Sequence, residues 1–275
     1  MNFAVLGGDE RAVRLVRLLR RDGHTVRPFA LERALACAAD PAEAMAEADC
    51  LVLPLPCERD GMLFAPHSER PWCPGELLTL ARAGTPVCAG QAGEKTAAAC
   101  RVNALPLYDY FRRESFTRRN ALLTAEGALS LLLAGPGALC GSRVLITGYG
   151  RIGSLLARRL RALGAEVTAA ARSDARRAAA ESDGLRAAEL RSLAGEYDFV
   201  VNTIPAPVLG ERELAALPGA ALIELASPPY GIDAAAAERL GRKVRLAAGL
   251  PGKTAPEAAA AAVRDAVYAI LREER

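Results

Sequence analysis

A glycine-rich segment near the middle of the 275-residue chain has the spacing of a turn that binds a dinucleotide. Its residues are Gly148, Tyr149, Gly150, Arg151, Ile152 and Gly153. In this pattern the first glycine permits a tight turn, the second lets the backbone approach a pyrophosphate, and the third lets the next helix pack against the preceding strand. The start of that helix offers free N–H groups and a partial positive charge to the anion. The segment therefore predicts a cofactor site in which all six residues take part.

The residues around this segment suit a strand, a turn and a helix. Apolar strands are predicted at Val144–Thr147 and Val167–Ala170, and Gly164 is placed to end the helix between them. One face of that helix is apolar and consists of Ile152, Leu155, Leu156, Leu160 and Leu163. This context favours the first βαβ unit of a Rossmann-type domain over a glycine-rich turn without a ligand.

The end of the second of these strands decides which dinucleotide fits. NAD sites usually place an acidic residue there, about 20 residues after the glycine motif, where it binds the ribose hydroxyls. This chain has Arg172 and Ser173 instead, which can pair with a 2′-phosphate and donate a hydrogen bond to it. The pattern favours NADP as the cofactor, and NAD stays possible because Asp174 follows directly.

Strands and helices alternate along both halves of the chain, which indicates parallel sheets with crossover helices. The remaining predicted strands are Phe3–Leu6, His24–Phe29, Cys50–Leu55, Pro86–Cys88, Phe199–Thr203, Ala221–Leu225 and Lys243–Ala247. Helices are predicted at Gly75–Arg82, Glu94–Arg101 and Ala121–Leu133, and Asp60–Pro74 is predicted to be a loop. The expected fold is α/β, with two Rossmann-like domains, each a doubly wound parallel sheet, and a cleft between them.

The domain boundary is predicted near the helix Ala121–Leu133, which Gly135-Pro136-Gly137 would end. Residues 1–119 would form an N-terminal flavodoxin-like or Rossmann-like substrate domain, and residues 120–255 the NADP-binding domain. Thr254-Ala255-Pro256-Glu257 has the spacing of a capping box and predicts the start of a final helix. That helix, residues 256–275, could pack back on the first domain.

The composition excludes several classes of protein. The net charge of +3 is spread over both halves, which disfavours nucleic acid as a partner. No apolar run approaches the roughly 20 residues needed to span a membrane, and the N-terminus lacks the features of a signal peptide. The seven cysteines show no CxxC pair and no zinc-ligand spacing, which fits free thiols in the cytoplasm and no metal site.

Two further observations limit the chemistry. The only histidines are His24 and His67, so the predicted cofactor domain lacks the histidine acid–base that a 2-hydroxyacid dehydrogenase with this domain order needs. A second glycine turn, Gly7-Gly8-Asp9, follows the first strand and could face a substrate carboxylate. A tight turn with Asp9 as the helix N-cap explains the same residues equally well.

Several stretches of the chain resemble the A subunit of dipicolinate synthase, a family of spore-forming bacteria. They occur in family order: Val5–Asp9, Asn120, Thr124–Gly127, the glycine motif, Ala171–Ser173, Asn202–Pro205, Glu224–Ser227 and Gly249–Pro256. The chain departs from the family pattern mainly at Cys57–Pro74, and at Leu123, where the pattern has proline. The resemblance spans nearly the whole chain and is much more specific than the glycine motif alone.

The resemblance implies the NADP-dependent oxidation of dihydrodipicolinate, formed from 4-hydroxy-tetrahydrodipicolinate, to the aromatic dipicolinate. Lys253, Arg118 or Arg119 could bind the substrate carboxylates, and Glu126 is the candidate proton acceptor, although it lies off the helical face shared by Asn120 and Thr124. Asn120 and Thr124 would orient the substrate. Further expected contacts are Gly8, Asp9 and Ser227 with the substrate, and Asn202, Thr203, Ile204 and Pro205 with the nicotinamide.

The same resemblance implies three further properties: a flavoprotein-like partner, which is the B subunit of the synthase, a homo-oligomer, and a place in the mother cell during spore formation. Two other classes of function stay open on the sequence. One is a different NADP-dependent dehydrogenase, of the 2-hydroxyacid or shikimate dehydrogenase type. The other is a cofactor-binding protein whose chemistry lies on its partner.

Overall fold

A computed structural model describes residues 1–135 and 137–274 of the chain. Pro136, in the predicted end of the long helix, and Arg275, the last residue of the predicted final helix, lie outside the described residues. The chain divides into two compact units. Unit 1 comprises Met1–Asn120 together with the chain from Pro251 onward, and unit 2 comprises Ala121–Leu250.

Parallel strands form the main sheet of each unit. The strands are β1 (Asn2–Leu6), β2 (Thr25–Phe29), β3 (Cys50–Val52), β4 (Glu58–Arg59), β5 (Met62–Leu63), β6 (Val87–Ala89), β7 (Leu107–Asp109), β8 (Arg143–Thr147), β9 (Glu166–Ala171), β10 (Arg186–Glu189), β11 (Phe199–Asn202), β12 (Ala221–Glu224) and β13 (Val244–Leu246). The order is β2-β1-β3-β6-β7 in unit 1 and β10-β9-β8-β11-β12-β13 in unit 2. These orders confirm the predicted α/β fold with two doubly wound parallel sheets.

Helices connect the strands of each sheet. They are α1 (Glu10–Arg21), α2 (Pro41–Met45), α3 (Pro74–Leu78), α4 (Glu94–Val102), α5 (Glu114–Leu133), α6 (Arg151–Ala162), α7 (Asp174–Ser182), α8 (Glu211–Ala215), α9 (Ala234–Arg239), α10 (Leu250–Thr254) and α11 (Pro256–Glu273), with a short 3₁₀ helix at Tyr110–Arg112. In an open parallel sheet, ligands bind beyond the carboxyl ends of the strands, where the strand order reverses. That point lies between β1 and β3 in unit 1 and between β8 and β11 in unit 2.

The core of unit 1 joins the two ends of the chain. Val13 and Val16 of α1 and Val263 and Val267 of α11 are buried in the same apolar cluster. In both helices these residues recur at three- and four-residue spacing, so each helix has one continuous apolar face. The final helix is therefore a structural part of unit 1.

The start of α11 differs from the predicted capping box. Its N-cap is Ala255, with φ −144° and ψ 55°, and no side chain caps it. The reason is Pro256, since proline disfavours the helical conformation of the residue before it and suits the first position of a helix. The residues before this break, Leu250–Thr254, form the short helix α10.

The predicted loop Asp60–Pro74 overlaps a small hairpin formed by β4 and β5. Asp60 (φ 53°) and Gly61 (φ 75°) make its two-residue turn, and both lie in the left-handed region. Asp-Gly is a strong signal for a tight hairpin turn. The sequence contained this signal, and the prediction overlooked it.

Shortening a buried side chain of α11 tests how far unit 1 depends on this helix. Ile270 is 3% exposed in the cluster shared with α1. We expect Ile270→Ala to lower the free energy of unfolding of unit 1 by about 2–5 kcal/mol. The single tryptophan, Trp72, lies in unit 1 against Phe29, so its fluorescence during urea unfolding reports on this unit.

The matched control is Val102→Ala, because Val102 is 83% exposed on α4 of the same unit. We expect this control to change the free energy of unfolding by less than about 0.5 kcal/mol. An equally small effect of Ile270→Ala would contradict the packing of α11 described above.

Candidate functional site

The glycine turn of unit 2 lies where the strand order of its sheet reverses. It connects β8 to α6, and Gly148 has φ +97°, which favours glycine. A Cβ atom added at Gly148 would lie 2.5 Å from Thr203 Oγ1 and 2.8 Å from Ile204 Cγ1. The turn therefore packs directly against the segment that follows the neighbouring strand β11, and a larger residue does not fit there.

The other two glycines of the motif have different surroundings. A Cβ atom at Gly153 would lie 2.0 Å from the Gly148 carbonyl oxygen, so α6 packs on the turn itself. Gly150 is the N-cap of α6, no side chain caps the helix there, and the nearest atom to an added Cβ is Arg176 Nη1 at 3.5 Å. The backbone is thus accessible at Gly150 and closed at Gly148 and Gly153. This is the arrangement that a pyrophosphate needs at a helix start.

Tyr149, between these glycines, is held in place by helix α7. Its side chain is buried and its hydroxyl donates a hydrogen bond to Asp183, which also accepts one from Arg158 Nε at 2.8 Å. Burial and the Asp183 hydrogen bond raise the pKa of Tyr149 to about 12. The hydrogen bonds from Tyr149 and Arg158 lower the pKa of Asp183. Tyr149 therefore stays protonated and fixes the turn instead of exchanging protons.

The end of β9 carries the residues that we predicted to select the cofactor. Arg172 and Ser173 are exposed, and Ser173 is the N-cap of α7. Asp174, the residue that left NAD possible, pairs with Arg177 Nη2 at 3.2 Å, and its side chain is 93% exposed. Arg177 also donates hydrogen bonds to the carbonyl oxygens of Ala171 and Arg172, so it closes the β9–α7 connection.

A buried polar network holds the end of β11. Asn202 Oδ1 accepts a hydrogen bond from Thr147 Oγ1 at 2.6 Å, and Asn202 Nδ2 donates to Ile204 O and, at 2.7 Å, to Glu224 Oε1. Thr203 Oγ1 donates to Thr147 O at 2.9 Å. These bonds place the predicted nicotinamide-side residues next to the glycine turn, although the Asn202 side chain itself is occupied by the protein.

Glu224, which we had quoted only for the resemblance, is the centre of this network. Its carboxylate is 1% exposed and accepts hydrogen bonds from Asn202 Nδ2 and from the backbone amides of Ala226, Gly231 and Ile232. The sequence feature that could have indicated this role is an acidic residue at the end of an otherwise apolar strand. A buried carboxylate needs such partners, and here they shape the loop that contains the exposed Ser227.

The structure places Glu126 beside an arginine of the same unit. Glu126 is exposed on α5, and its Oε1 lies 3.5 Å from Nη2 of Arg159. Arg159 is in the second half of α6, about 12 Å along the helix axis from Arg151 at about 1.5 Å per residue. Thr124 is buried on the same helix, and Asn120 is half-buried at the end of unit 1. A catalytic role for these three residues stays a prediction.

The second glycine turn, in unit 1, has internal partners. The Gly8 amide donates to the Phe64 carbonyl oxygen at 2.8 Å, and Asp9 caps α1 and pairs with Arg11 at 2.8 Å. A Cβ atom at Gly252 would lie 2.7 Å from Asp9 Oδ2. These contacts give Gly8 and Asp9 structural roles, and a contact with substrate stays a prediction. They also place α10 at the carboxyl end of β1.

The three predicted carboxylate-binding cations have different surroundings. Arg118 Nε lies 2.8 Å from Glu114, and Arg119 Nη1 lies 2.5 Å from Asp265. Lys253 is exposed on α10, next to the Gly252–Asp9 contact, and makes no ion pair with any residue that the structure describes.

Neither a metal centre nor a membrane segment is present in the described ranges. No group of three or more histidine, cysteine or acidic side chains there could hold a metal ion. Likewise, no helix in residues 1–135 and 137–274 is both long and apolar enough to cross a membrane.

Two family models match the chain, one in each half. Residues 2–111 match the N-terminal domain of the dipicolinate synthase A subunit. Residues 132–226, which include the glycine turn, match the NAD binding domain of D-isomer specific 2-hydroxyacid dehydrogenases. With the strand order and the open backbone at Gly150, these matches define the class: the chain has the architecture of an NAD(P)-dependent oxidoreductase.

Within this class, the chain is similar to the dipicolinate synthase A subunit. The A subunit of Bacillus subtilis (strain 168) is 35% identical over 172 residues, which cover 61% of this chain and 58% of that protein. The aligned part thus spans less than two thirds of that relative. The crystal structure of the same subunit from Bacillus subtilis superimposes with a TM-score of 0.83 at 27% identity, over 99% of this chain and 96% of that one.

Two other solved structures show the fold. The dipicolinate synthase A subunit of Bacillus halodurans has a TM-score of 0.85 at 24% identity, over 98% of this chain and 97% of that one. A transhydrogenase of Sinorhizobium meliloti has a TM-score of 0.65 at 16% identity, over 98% and 94% of the two chains. The transhydrogenase therefore shares the fold.

The different surroundings of the glycines allow a test of the cofactor site. Gly150→Ala adds a methyl group that makes only an ordinary van der Waals contact, with Arg176 Nη1 at 3.5 Å, so we expect its melting temperature to stay within about 2 °C of the wild type. The methyl group would occupy the approach of the pyrophosphate. We expect it to weaken dinucleotide binding about tenfold or more in calorimetry, since at least one hydrogen bond to a charged group is lost.

Gly153→Ala is the comparison variant, because its methyl group would collide with the Gly148 carbonyl. We expect this variant to have a lower melting temperature than the wild type and to bind the dinucleotide more weakly. Undiminished dinucleotide binding by Gly150→Ala would contradict the placement of the pyrophosphate at this turn.

Proposed function

We propose that this chain oxidises dihydrodipicolinate to dipicolinate with NADP, as the dehydrogenase component of a dipicolinate synthase in spore formation. The observation that carries the proposal is the glycine turn with its open backbone at Gly150, on a chain related to the dipicolinate synthase A subunit. The substrate would derive from 4-hydroxy-tetrahydrodipicolinate by loss of water. The flavoprotein-like B subunit of the synthase would be the partner, and the chain would work as a homo-oligomer in the cytoplasm of the mother cell.

The surroundings of β9 support NADP over NAD. The acidic residue nearest the ribose position, Asp174, is paired with Arg177, while Arg172 and Ser173 are exposed. An arginine and a hydroxyl can bind a 2′-phosphate, and an acid already paired with a cation is a poor partner for ribose hydroxyls. The glycine motif would hold the pyrophosphate part of the cofactor, through Gly148, Tyr149, Gly150, Arg151, Ile152 and Gly153.

The proposed reaction requires little from the protein besides positioning. When bound, the cofactor supplies the hydride acceptor, so the substrate ring loses a hydride to it and a proton to a neighbouring base or water. The protein must hold the ring, bind two carboxylates and accept the proton. The segment after β11, which the buried network holds, would line the reacting side of the cofactor with Asn202, Thr203, Ile204 and Pro205.

Lys253 is the cation that we assign to a substrate carboxylate. Arg118 and Arg119 already pair with Glu114 and Asp265, whereas Lys253 has no ion pair among the described residues. Lys253 also lies on α10, which packs at the carboxyl end of β1, near the point where the strand order of unit 1 reverses. Four further residues are proposed to contact the substrate: Arg119, Gly8, Asp9 and Ser227.

Glu126 is the proposed proton acceptor, with Asn120 and Thr124 orienting the substrate. The Arg159 contact gives Glu126 a competing role as a surface ion pair. An exposed pair of this kind contributes little to stability. Glu126→Gln removes the base and the ion pair together, and because the pair contributes little to stability, lost turnover in a variant with unchanged stability would indicate the role as a base.

The absence of histidine from unit 2 argues against a 2-hydroxyacid dehydrogenase. His24 and His67 are the two histidines of the chain, and both lie in unit 1. An enzyme that interconverts a hydroxyl and a carbonyl group needs an acid–base at the reacting oxygen. Aromatisation of a dihydropyridine ring involves no such oxygen, which is why it fits this chain better.

A reconstituted assay tests the proposed function and its dependence on the flavoprotein-like partner. We expect the isolated chain to bind NADP and to oxidise dihydrodipicolinate slowly, and we expect the partner to accelerate the reaction. The readouts are the absorbance of the reduced cofactor and the amount of dipicolinate formed. Full turnover without the partner would contradict the need for it, and no dipicolinate in either case would contradict the reaction.

The charge of Lys253 allows a test of the substrate site. Lys253→Met keeps much of the side-chain length and removes the charge that would pair with a carboxylate in a partly dry site. We expect the substrate KM to rise about tenfold or more, or roughly 1.4 kcal/mol, while NADP affinity stays within about twofold.

Lys243→Met is the matched control, because Lys243 is a lysine of unit 2 without a proposed role. We expect its kinetic constants to equal those of the wild type. Unchanged substrate kinetics in Lys253→Met would show that Lys253 is a surface charge without a role in substrate binding.

A further inference from the structure

Arg176, in the first turn of α7, reaches back to the glycine turn. Its Nη1 donates a hydrogen bond to the Tyr149 carbonyl oxygen at 2.6 Å. The same nitrogen is the nearest atom, at 3.5 Å, to a Cβ atom added at Gly150. A guanidinium group thus lies beside the one glycine of the motif whose backbone is open. No motif in the sequence assigns a role to this residue.

The anchor of Arg176 is rigid. Tyr149 is held at its hydroxyl by Asp183, the C-cap residue of α7, and at its carbonyl by Arg176 near the other end of the same helix. Both ends of α7 thus contact Tyr149, and the hydrogen bond to its carbonyl oxygen holds the Arg176 guanidinium beside the glycine turn. A cation held in place before binding loses less entropy when it contacts an anion.

Arg176 also differs from its neighbour Arg177 in the donors that it has left. Arg177 uses its guanidinium on Ala171 O, Arg172 O and the Asp174 carboxylate. Among the described residues, the Arg176 guanidinium has one hydrogen-bond partner, the Tyr149 carbonyl oxygen, and a guanidinium has five N–H donors. Arg177 therefore stabilises the β9–α7 connection, whereas Arg176 can donate further hydrogen bonds to a ligand.

We propose that Arg176 determines cofactor specificity by binding the 2′-phosphate of NADP together with Arg172. Arg172 follows the end of β9, and the Arg176 guanidinium reaches the glycine turn from α7, so the two groups flank the position that the adenosine ribose occupies in this fold. A phosphate monoester carries close to two negative charges and accepts hydrogen bonds at three oxygens, which suits two guanidinium groups. This inference rests on the proposed use of NADP.

An alternative contact for Arg176 is the pyrophosphate, which NAD and NADP share. The position beside Gly150 allows that contact, and α6 already offers its uncapped N-terminus to the pyrophosphate. Arg176 lies in the first turn of α7, four residues after Arg172, on the side of the ribose. The two contacts predict different effects on NAD, so binding measurements separate them.

The test compares Arg176→Ala and Arg172→Ala in calorimetry with NADP, NAD, 2′-AMP and 5′-AMP. We expect each variant to bind NADP and 2′-AMP about ten- to a hundredfold more weakly, the effect of losing a charged hydrogen bond. The affinities for NAD and 5′-AMP should stay within about twofold. Arg176→Lys keeps the charge and should retain part of the preference for NADP.

Arg191→Ala is the control for lost charge, because Arg191 is exposed in unit 2 and makes no ion pair within residues 1–135 and 137–274. Circular dichroism melting of each variant confirms that it is folded. An equal loss of NAD and NADP affinity, or no loss, in Arg176→Ala would overturn the inference. A wild-type chain that binds NAD as tightly as NADP would instead contradict the proposed cofactor, so the two failures are distinguishable.

Discussion

The contact between Gly153 and the Gly148 carbonyl is the constraint on which the cofactor unit depends. No side chain fits there, since an added Cβ atom would lie 2.0 Å from the carbonyl oxygen. Because α6 can start so close to the end of β8, its uncapped N-terminus and the Gly150 backbone face the same open space. Partial positive charge and free amides at that point favour an anion. Unit 2 is a candidate cofactor-binding unit because of this packing more than because of any charged side chain.

Two further groups of contacts fix the residues on either side of this turn. On one side, α7 fixes Tyr149 through Arg176 and Asp183. On the other side, the buried carboxylate of Glu224 fixes Asn202 and the loop after β12. A buried charge is costly unless it is fully hydrogen-bonded, and Glu224 has four donors. The polar groups around the site therefore serve mainly to position the backbone, which suits a reaction that needs orientation more than acid–base catalysis.

The sequence was sufficient for the fold class and the glycine turn, because both depend on local patterns: apolar strands, amphipathic helices and glycine spacing. Local patterns also explain two errors. The Asp60-Gly61 turn was present and overlooked, and Pro256 moved the helix start that a capping box had suggested. The ion pair of Arg119 with Asp265 and the contact of Arg176 with Tyr149 join residues far apart in the chain, so no local pattern could reveal them.

A crystal structure of this chain with NADP and dipicolinate bound would locate both ligands relative to the glycine turn. We expect electron density for the pyrophosphate against the Gly150 backbone, with the adenosine 2′-phosphate between Arg172 and Arg176. We also expect a dipicolinate carboxylate beside the Lys253 ammonium group. A dinucleotide bound away from the glycine turn, or a 2′-phosphate directed into solvent, would contradict the account.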